Sequence, residues 1–234
     1  MNRLVSLRSI VIENLSRLGI GISRISSLQQ LRSIPTQVHE ALLSKSLGVI
    51  HIGGHFAEER ETYLKHNLPI IWIEGVPNYA KQIQEGIKDA SLEQVRQVFL
   101  GEVSQESVPF YITNNSGSSS SLLRLKNNGL FPGLETEATI VVDVFRFDQV
   151  FTKFEIQGFD HLVLDVQGAE LSVLKGMGDY IDTFRFLKIE VSTVEIYLEA
   201  PMFSEIQDFL AEKGFVTFWR PSGNFHGDIL FVRL

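Results

Sequence analysis

Three short apolar runs in this chain end on residues able to do chemistry. Ile50-His51-Ile52 runs into Gly53-Gly54-His55, Ile70-Ile71-Trp72-Ile73 ends on Glu74, and Leu162-Val163-Leu164 ends on Asp165. Paired glycines let a backbone approach a ligand closely, and a carboxylate ending the next run accepts two hydrogen bonds from ribose hydroxyls. Gly53 and Glu74 lie 21 residues apart, the spacing of strand, helix and strand. This pattern points to an adenosine-containing cofactor; a plain tight turn at 53–54 is the competing reading. Asp165 opens the segment Asp165-Val166-Gln167-Gly168-Ala169-Glu170. Gly168 makes the turn, and Glu170 falls in the first turn of a helix, where negative charge is favoured. Ligands of open α/β sheets bind beyond the carboxyl ends of the strands, so Gly53, Glu74 and Asp165 would face one crevice. There Asp165 can orient or deprotonate a substrate; for Asp165 and Glu170 alike, helix capping is the alternative.

Other polar residues fall near the same crevice. Glu190 ends a further apolar run and His226 lies near the C-terminus; both are candidate proton acceptors. His51 and His55 flank the glycines. Glu102 and Val103 follow the expected third strand, where a carboxylate can accept from an adenine amine, and Val76 and Tyr79 offer an apolar wall. No histidine pair has compact ligand spacing and there is no cysteine, so no metal site is expected.

These residues need a scaffold. Short β-rich apolar runs predict buried parallel strands over 47–52, 70–74, 95–100, 161–165 and 186–190. Helical segments are expected over 58–65, 79–89, 169–177 and 204–213. The rhythm changes over 102–148, where 108–113 and 139–145 read as extra strands around the polar loop 114–121. An insertion of this kind shapes acceptor specificity. At the C-terminus, 215–220 and 228–233 read as strands joined by the turn Pro221-Ser222-Gly223-Asn224, an antiparallel hairpin. A mostly parallel sheet closed by such a hairpin suggests a methyltransferase variant of the Rossmann-like fold rather than a dinucleotide-binding one.

Residues 1–44 stand apart from the domain at 45–234. They carry a local charge of +3, and Leu4, Leu7, Val11, Leu15 and Leu18 form one helical face. We expect a helical arm that packs on its own domain or on a second subunit as a homodimer, with closure over the substrate as the alternative. Its arginines are too sparse to favour a membrane surface. The net charge of −7 argues against a nucleic-acid substrate held by its phosphates. Without a signal-peptide core or a spanning run, the expected location is cytoplasmic.

The chain resembles the FkbM family of S-adenosyl-L-methionine (SAM)-dependent methyltransferases over roughly 47–234. The most specific likeness is Asp165-Val166-Gln167-Gly168-Ala169-Glu170 followed by Val173-Leu174-Lys175-Gly176, similar to the family's Asp-Val-Glu-Gly-Ala-Glu with its Val-Leu-Lys-Gly continuation. The run Ser118–Ser121 resembles a serine-rich element of the family, which implies a substrate role for Ser119, Ser120 and Ser121. Leu187-Lys188-Ile189-Glu190-Val191 and Asp228-Ile229-Leu230-Phe231-Val232 resemble two of its strands. The resemblance implies SAM as cofactor and a small-molecule acceptor, methylated at the oxygen of a sugar or natural product, or at a carboxylate. Four departures stand out: His51 for Asp, Gly54 for Ala, Ala57 for Gly and Gln167 for Glu. They keep open a SAM-binding module without catalysis. An NAD-dependent oxidoreductase would share the glycines and Glu74, but the hairpin, the Asp165 motif and the missing third glycine argue against it.

Overall fold

The computed structural model describes residues 37–127, 129–219 and 225–233. Chain order is a helix at 37–43 (α1), then Val49–Ile52 (β1), Arg60–Lys65 (α2), Ile70–Ile73 (β2), Pro77–Gly86 (α3), Glu93–Arg96 (β3) and Phe99–Leu100 (β4). Gln105–Thr113 (β5), Thr136–Phe145 (β6), Phe147–Val150 (α4), His161–Leu164 (β7) and Glu170–Gly176 (α5) come next. A 3-10 turn over Gly178–Thr183 leads to Phe186–Ser192 (β8), Phe203–Glu212 (α6), Phe215–Trp219 (β9) and His226–Arg233 (β10).

Seven strands form one sheet in the order β3-β2-β1-β7-β8-β10-β9. Neighbours from β3 to β8 are parallel, and β10 runs antiparallel to both β8 and β9. This is the mostly parallel α/β sheet with a C-terminal antiparallel hairpin that the sequence predicts. Every residue of β1, β2 and β7 is buried, because both faces are covered. Ile50, Ile52, Leu162, Leu164, Leu187 and Ile189 point to one face, against α4, α5 and α6. Val49, Ile70, Trp72 and Val163 point to the other, against Leu43 of α1, Tyr63 of α2 and Ile83 of α3.

The expected third strand, 95–100, is two elements. β3 ends at Arg96 in the large sheet, whereas Phe99–Leu100 crosses to pair with β6 in a second sheet of order β4-β6-β5. Gly75 permits the crossing: a Cβ there would lie 2.3 Å from the Phe99 ring, so the ring occupies the space that a side chain would take. The expected helix at 4–18 and the C-terminal turn lie outside the described residues. Among the described residues, no helix is long and apolar enough to cross a membrane.

The second face of the sheet holds three imidazoles, His51 and His161 buried and His39 of α1 half-buried. His161 Nδ1 meets the Ser46 hydroxyl at 2.9 Å, and its Nε2 lies 3.3 Å from His39 Nε2. His51 Nδ1 meets the Tyr63 hydroxyl at 3.0 Å and its ring packs on Trp72. Burial pushes His39 and His51 down to about 3 and His161 well below the ordinary imidazole value. The unfolded chain therefore binds three more protons than the fold at these sites once pH falls below the free imidazole value. Asp165, Glu170 and Glu74 oppose this, since burial raises their carboxyls and the fold keeps protons that the unfolded chain has shed. Below about pH 4.5 the unfolded carboxyls take up protons too, so the raised carboxyls cease to oppose the imidazoles, while carboxyls held low in the fold, such as Glu58, add to the loss. Stability is expected to fall gently from about pH 6.5 to 5, then more steeply below 4.5. Urea midpoints across pH 3–8 check this; a curve with no steepening below pH 4.5 would contradict it.

Candidate active site

The carboxyl ends of β1, β2 and β7 meet at Gly53. Its N–H and that of Gly54 both donate to the Ile73 carbonyl, and the Asp165 N–H donates to the Ile52 carbonyl. Gly53 has φ +89°, and a Cβ there would sit 1.7 Å from the Asp165 carbonyl oxygen. Only glycine lets the two strand ends approach this closely. Gly54 points elsewhere. Its missing Cβ would meet Ile83 and Trp72 at 3.1 and 3.3 Å, so it belongs to the packing beneath the loop and does not line the cavity, contrary to its expected place at the cofactor.

Above these ends opens a cavity of about 260 Å³. His51, Gly53, His55, Glu74 and Asp165 line it, as do Val76 and Tyr79. The Glu74 carboxylate is buried and accepts from the backbone N–H of His55 (2.8 Å) and of Val76 (2.7 Å). Burial raises its proton affinity and these two donors pull it back. One N–H on each oxygen leaves acceptor capacity for a ligand.

Glu102 and Val103 are displaced from the cavity. Val103 is 64 % exposed, and the Glu102 carboxylate reaches out to Lys175 at 3.5 Å. The chain crosses between sheets sooner than expected, so Val98, Phe99 and Leu100 occupy the wall instead, with Phe110 and Leu122. The sequence carries no breaker at Gln97-Val98 to signal this crossing.

The insertion closes over the cavity. Gly117, Ser118, Ser120 and Leu122 line it. Ser119 and Ser121 are not in the lining: the turn over 114–119 ties the Ser119 hydroxyl to Asn115 Nδ2 at 2.9 Å. Ser121 is buried and its Oγ accepts from Leu123 N–H, whereas Ser119 lends its carbonyl to the Tyr197 hydroxyl. One oxygen latches the loop down: the Ser116 carbonyl accepts from both His55 Nε2 (2.9 Å) and the Tyr79 hydroxyl (3.0 Å). The other ring nitrogen of His55 meets Glu58 at 3.0 Å. Although partial burial works the other way, that hydrogen bond holds the Glu58 carboxyl below its usual value.

A cluster of acids sits beside the cavity. Glu170 Oε1 accepts from the N–H groups of Val166 and Gly168, both 3.1 Å, so it braces the turn from within. Burial first, then the charge of Glu190, pushes Glu170 up to about 7. Asp165 is raised well above the carboxylate range by burial and by Glu190. Glu190 Oε1 lies 3.1 Å from His226 Nε2, and His226 Nδ1 meets the Ser192 hydroxyl at 2.7 Å. The Glu190 partner raises the imidazole of His226. The structure thus brings Asp165, Glu190 and His226 into one chain of contacts. No group of three or more metal-ligating side chains is arranged to hold a metal ion among the described residues. Tyr197 and Ser192 join this network with no sequence signal, since neither belongs to a motif.

A family model described as the methyltransferase FkbM domain matches residues 51–217. The chain belongs to the FkbM methyltransferase family. No curated protein sequence matches it. Among solved structures, it is similar to magnesium protoporphyrin IX methyltransferase from Synechocystis PCC 6803 with bound SAM. The two are 11 % identical, with 97 % of this chain and 90 % of that one covered and a TM-score of 0.44. Fibrillarin from Aeropyrum pernix with SAM is 12 % identical, over 84 % of this chain and 74 % of that one, at a TM-score of 0.43.

An FkbM methyltransferase uses SAM, and the cavity fits it. It has an apolar wall, the buried Glu74 carboxylate at the end of β2, and further carboxylates, Glu58 and Glu59, in its lining. Two departures from the FkbM motifs have structural explanations. Ala57 sits at φ +57°, the left-handed region that the family's glycine adopts freely; alanine keeps the turn at a cost of about 1 kcal/mol. His51, in place of the family's aspartate, is a buried neutral ring held by Tyr63 and brings no negative charge. Glu59 lies 4.0 Å from that ring and lines the same cavity, as does Glu58.

Proposed function

We propose that this FkbM methyltransferase moves the methyl group of SAM to a hydroxyl oxygen of a small molecule, such as a sugar or a natural product. The observation that supports this most is the acid pair at adjoining strand ends, Asp165 after β7 and Glu190 in β8, bridged by one amide nitrogen. When bound, SAM supplies a methyl group on a positively charged sulfur, open to in-line attack. A hydroxyl must lose its proton as it attacks, and a buried carboxylate of raised proton affinity is suited to take it. A carboxylate acceptor needs no base and would meet Asp165, Glu170 and Glu190 as like charges. Val98, Phe99, Leu100, Phe110 and Leu122 hold adenine, Glu74 holds the ribose, and Glu58 and Glu59 receive the amino group in place of the family's aspartate. Ser118 and Ser120 keep water from the reacting groups. His226 takes the proton onward from Glu190.

The second reading, a SAM-binding module without turnover, draws on the uncharged His51. Glu58 and Glu59 in the lining weigh against it. Incubation with methyl-labelled SAM and a panel of glycosides, phenols and carboxylic acids tests both. Label is expected on hydroxyl compounds; label on the acids alone would overturn the hydroxyl assignment. Transfer to no compound, with SAM binding intact, would favour the second reading.

Cofactor grip gives a smaller expected effect. Glu74→Ala removes the ribose acceptor and frees two loop N–H groups, so calorimetry with S-adenosylhomocysteine should show a loss of about 1.5–3 kcal/mol. Unchanged affinity would remove the ribose assignment.

A further inference from the structure

Position 167 carries glutamine where the family motif has glutamate. Gln167 stands at φ +56°, a strained backbone conformation for any residue but glycine. Its Oε1 lies 2.8 Å from the Tyr197 hydroxyl, whose single hydrogen it shares with the Ser119 carbonyl at 3.0 Å, and the two carboxyl groups on the other side of the amide require donors, which together fix its orientation. Nε2 therefore faces the acids and donates to Asp165 Oδ1 and to Glu190 Oε2, each at 2.6 Å. Two amide hydrogens meet two carboxyl groups from neighbouring strands. A glutamate has no hydrogen to offer here and would add a third acid. Gly168 makes the arrangement possible, because a Cβ at that position would lie 2.8 Å from the Tyr197 ring.

We propose that Gln167 is a positioning residue: its amide, oriented by Tyr197, holds Asp165 and Glu190 as a joined pair sharing one proton. The role of the pair in the reaction rests on the hydroxyl reading above; its existence does not. As the acceptor oxygen bonds to the methyl carbon, the carbon–sulfur bond breaks and its electrons stay on sulfur. The hydroxyl proton passes to the ionised member of the pair. Other groups set the surrounding charge: Glu170 from α5, His226 from β10, Lys188 from β8 and Tyr197. Burial and the charge of Glu190 raise Asp165, and the Gln167 amide pulls it back. Removing the amide must raise the proton affinity of the pair.

Carboxyl ¹³C NMR titration of the full chain, saturated with S-adenosylhomocysteine, tests this. Resonances are assigned with Asp165→Asn and Glu190→Gln. Wild type should release the two protons in separate steps. In Gln167→Met, which keeps the shape but loses the donors, and in Gln167→Glu, the lower step should move up by about one pH unit. Tyr197→Phe should move it less, in the same direction. The acidic limb of the turnover profile, measured with a hydroxyl acceptor from the panel, should move with it while KM for SAM stays nearly constant. An unmoved titration in folded Gln167→Met overturns the pairing. A moved titration with an unmoved rate profile overturns the positioning role. The titration needs no acceptor, so it decides the pairing even where no hydroxyl compound is methylated.

Discussion

Gly53→Ala should abolish measurable binding of S-adenosylhomocysteine and lower the unfolding free energy by about 3–5 kcal/mol, a large share of a domain's stability. Two costs combine. The residue occupies the left-handed region at φ +89°, and the added methyl would sit 1.7 Å from the carbonyl oxygen of Asp165. No side chain can swing aside to relieve this contact, because the obstacle is backbone. Relief requires β1 and β7 to part at their carboxyl ends, which moves the proposed base away from the cofactor cavity. Gly54→Ala is the control. Its methyl would press on Ile83 and Trp72 at 3.1 and 3.3 Å, beneath the loop, so a smaller loss is expected. Urea unfolding and calorimetry on both variants check the contrast. Wild-type affinity and midpoint in Gly53→Ala would show that the strand ends have slack that the geometry denies.

Asp165→Asn should lower turnover by about 10²–10⁴-fold and leave S-adenosylhomocysteine affinity nearly unchanged. The variant keeps size and hydrogen-bonding capacity but cannot take a proton. The same argument sets the pH profile of the wild type. A base acts only when ionised, so the rate must fall as pH drops through the folded value of Asp165. That value is raised by burial and by Glu190, so the acidic limb lies above the ordinary carboxylate range. In Asp165→Asn the limb should weaken or pass to Glu190. Loss of cofactor binding would make Asp165 a structural or cofactor residue instead, and wild-type turnover would exclude a catalytic role.

The parts of this protein legible in its sequence are those dictated by local chemistry. Four-residue apolar runs buried on both faces mark β1, β2 and β7. The interval from Gly53 to Glu74 marks one strand–helix–strand unit, and the turn residues near 221–224 mark the hairpin partners β9 and β10. What escapes depends on contacts distant in sequence. The split between β3 and β4 comes from the Phe99 ring filling the space above Gly75, and it puts Val98, Phe99 and Leu100 in the cavity lining where Glu102 and Val103 were expected. Ser119 and Ser121 are indistinguishable from Ser120 until the loop's facing is known. Tyr197 reaches Gln167 and Ser119 from 30 and 78 residues away, and no local pattern announces such a pairing.

The charge of the cavity lining bears on the release of spent cofactor. Glu58, Glu59, Glu74 and Asp165 contribute carboxyl groups to that lining, and no lysine or arginine does among the described residues. The incoming cofactor carries a positive sulfur, which such a wall attracts. Methyl transfer turns that sulfur into a neutral thioether, so the reaction erases the charge that helped to hold the molecule. On charge alone the fresh cofactor is expected to be the tighter ligand of the two, which calorimetry with both forms checks.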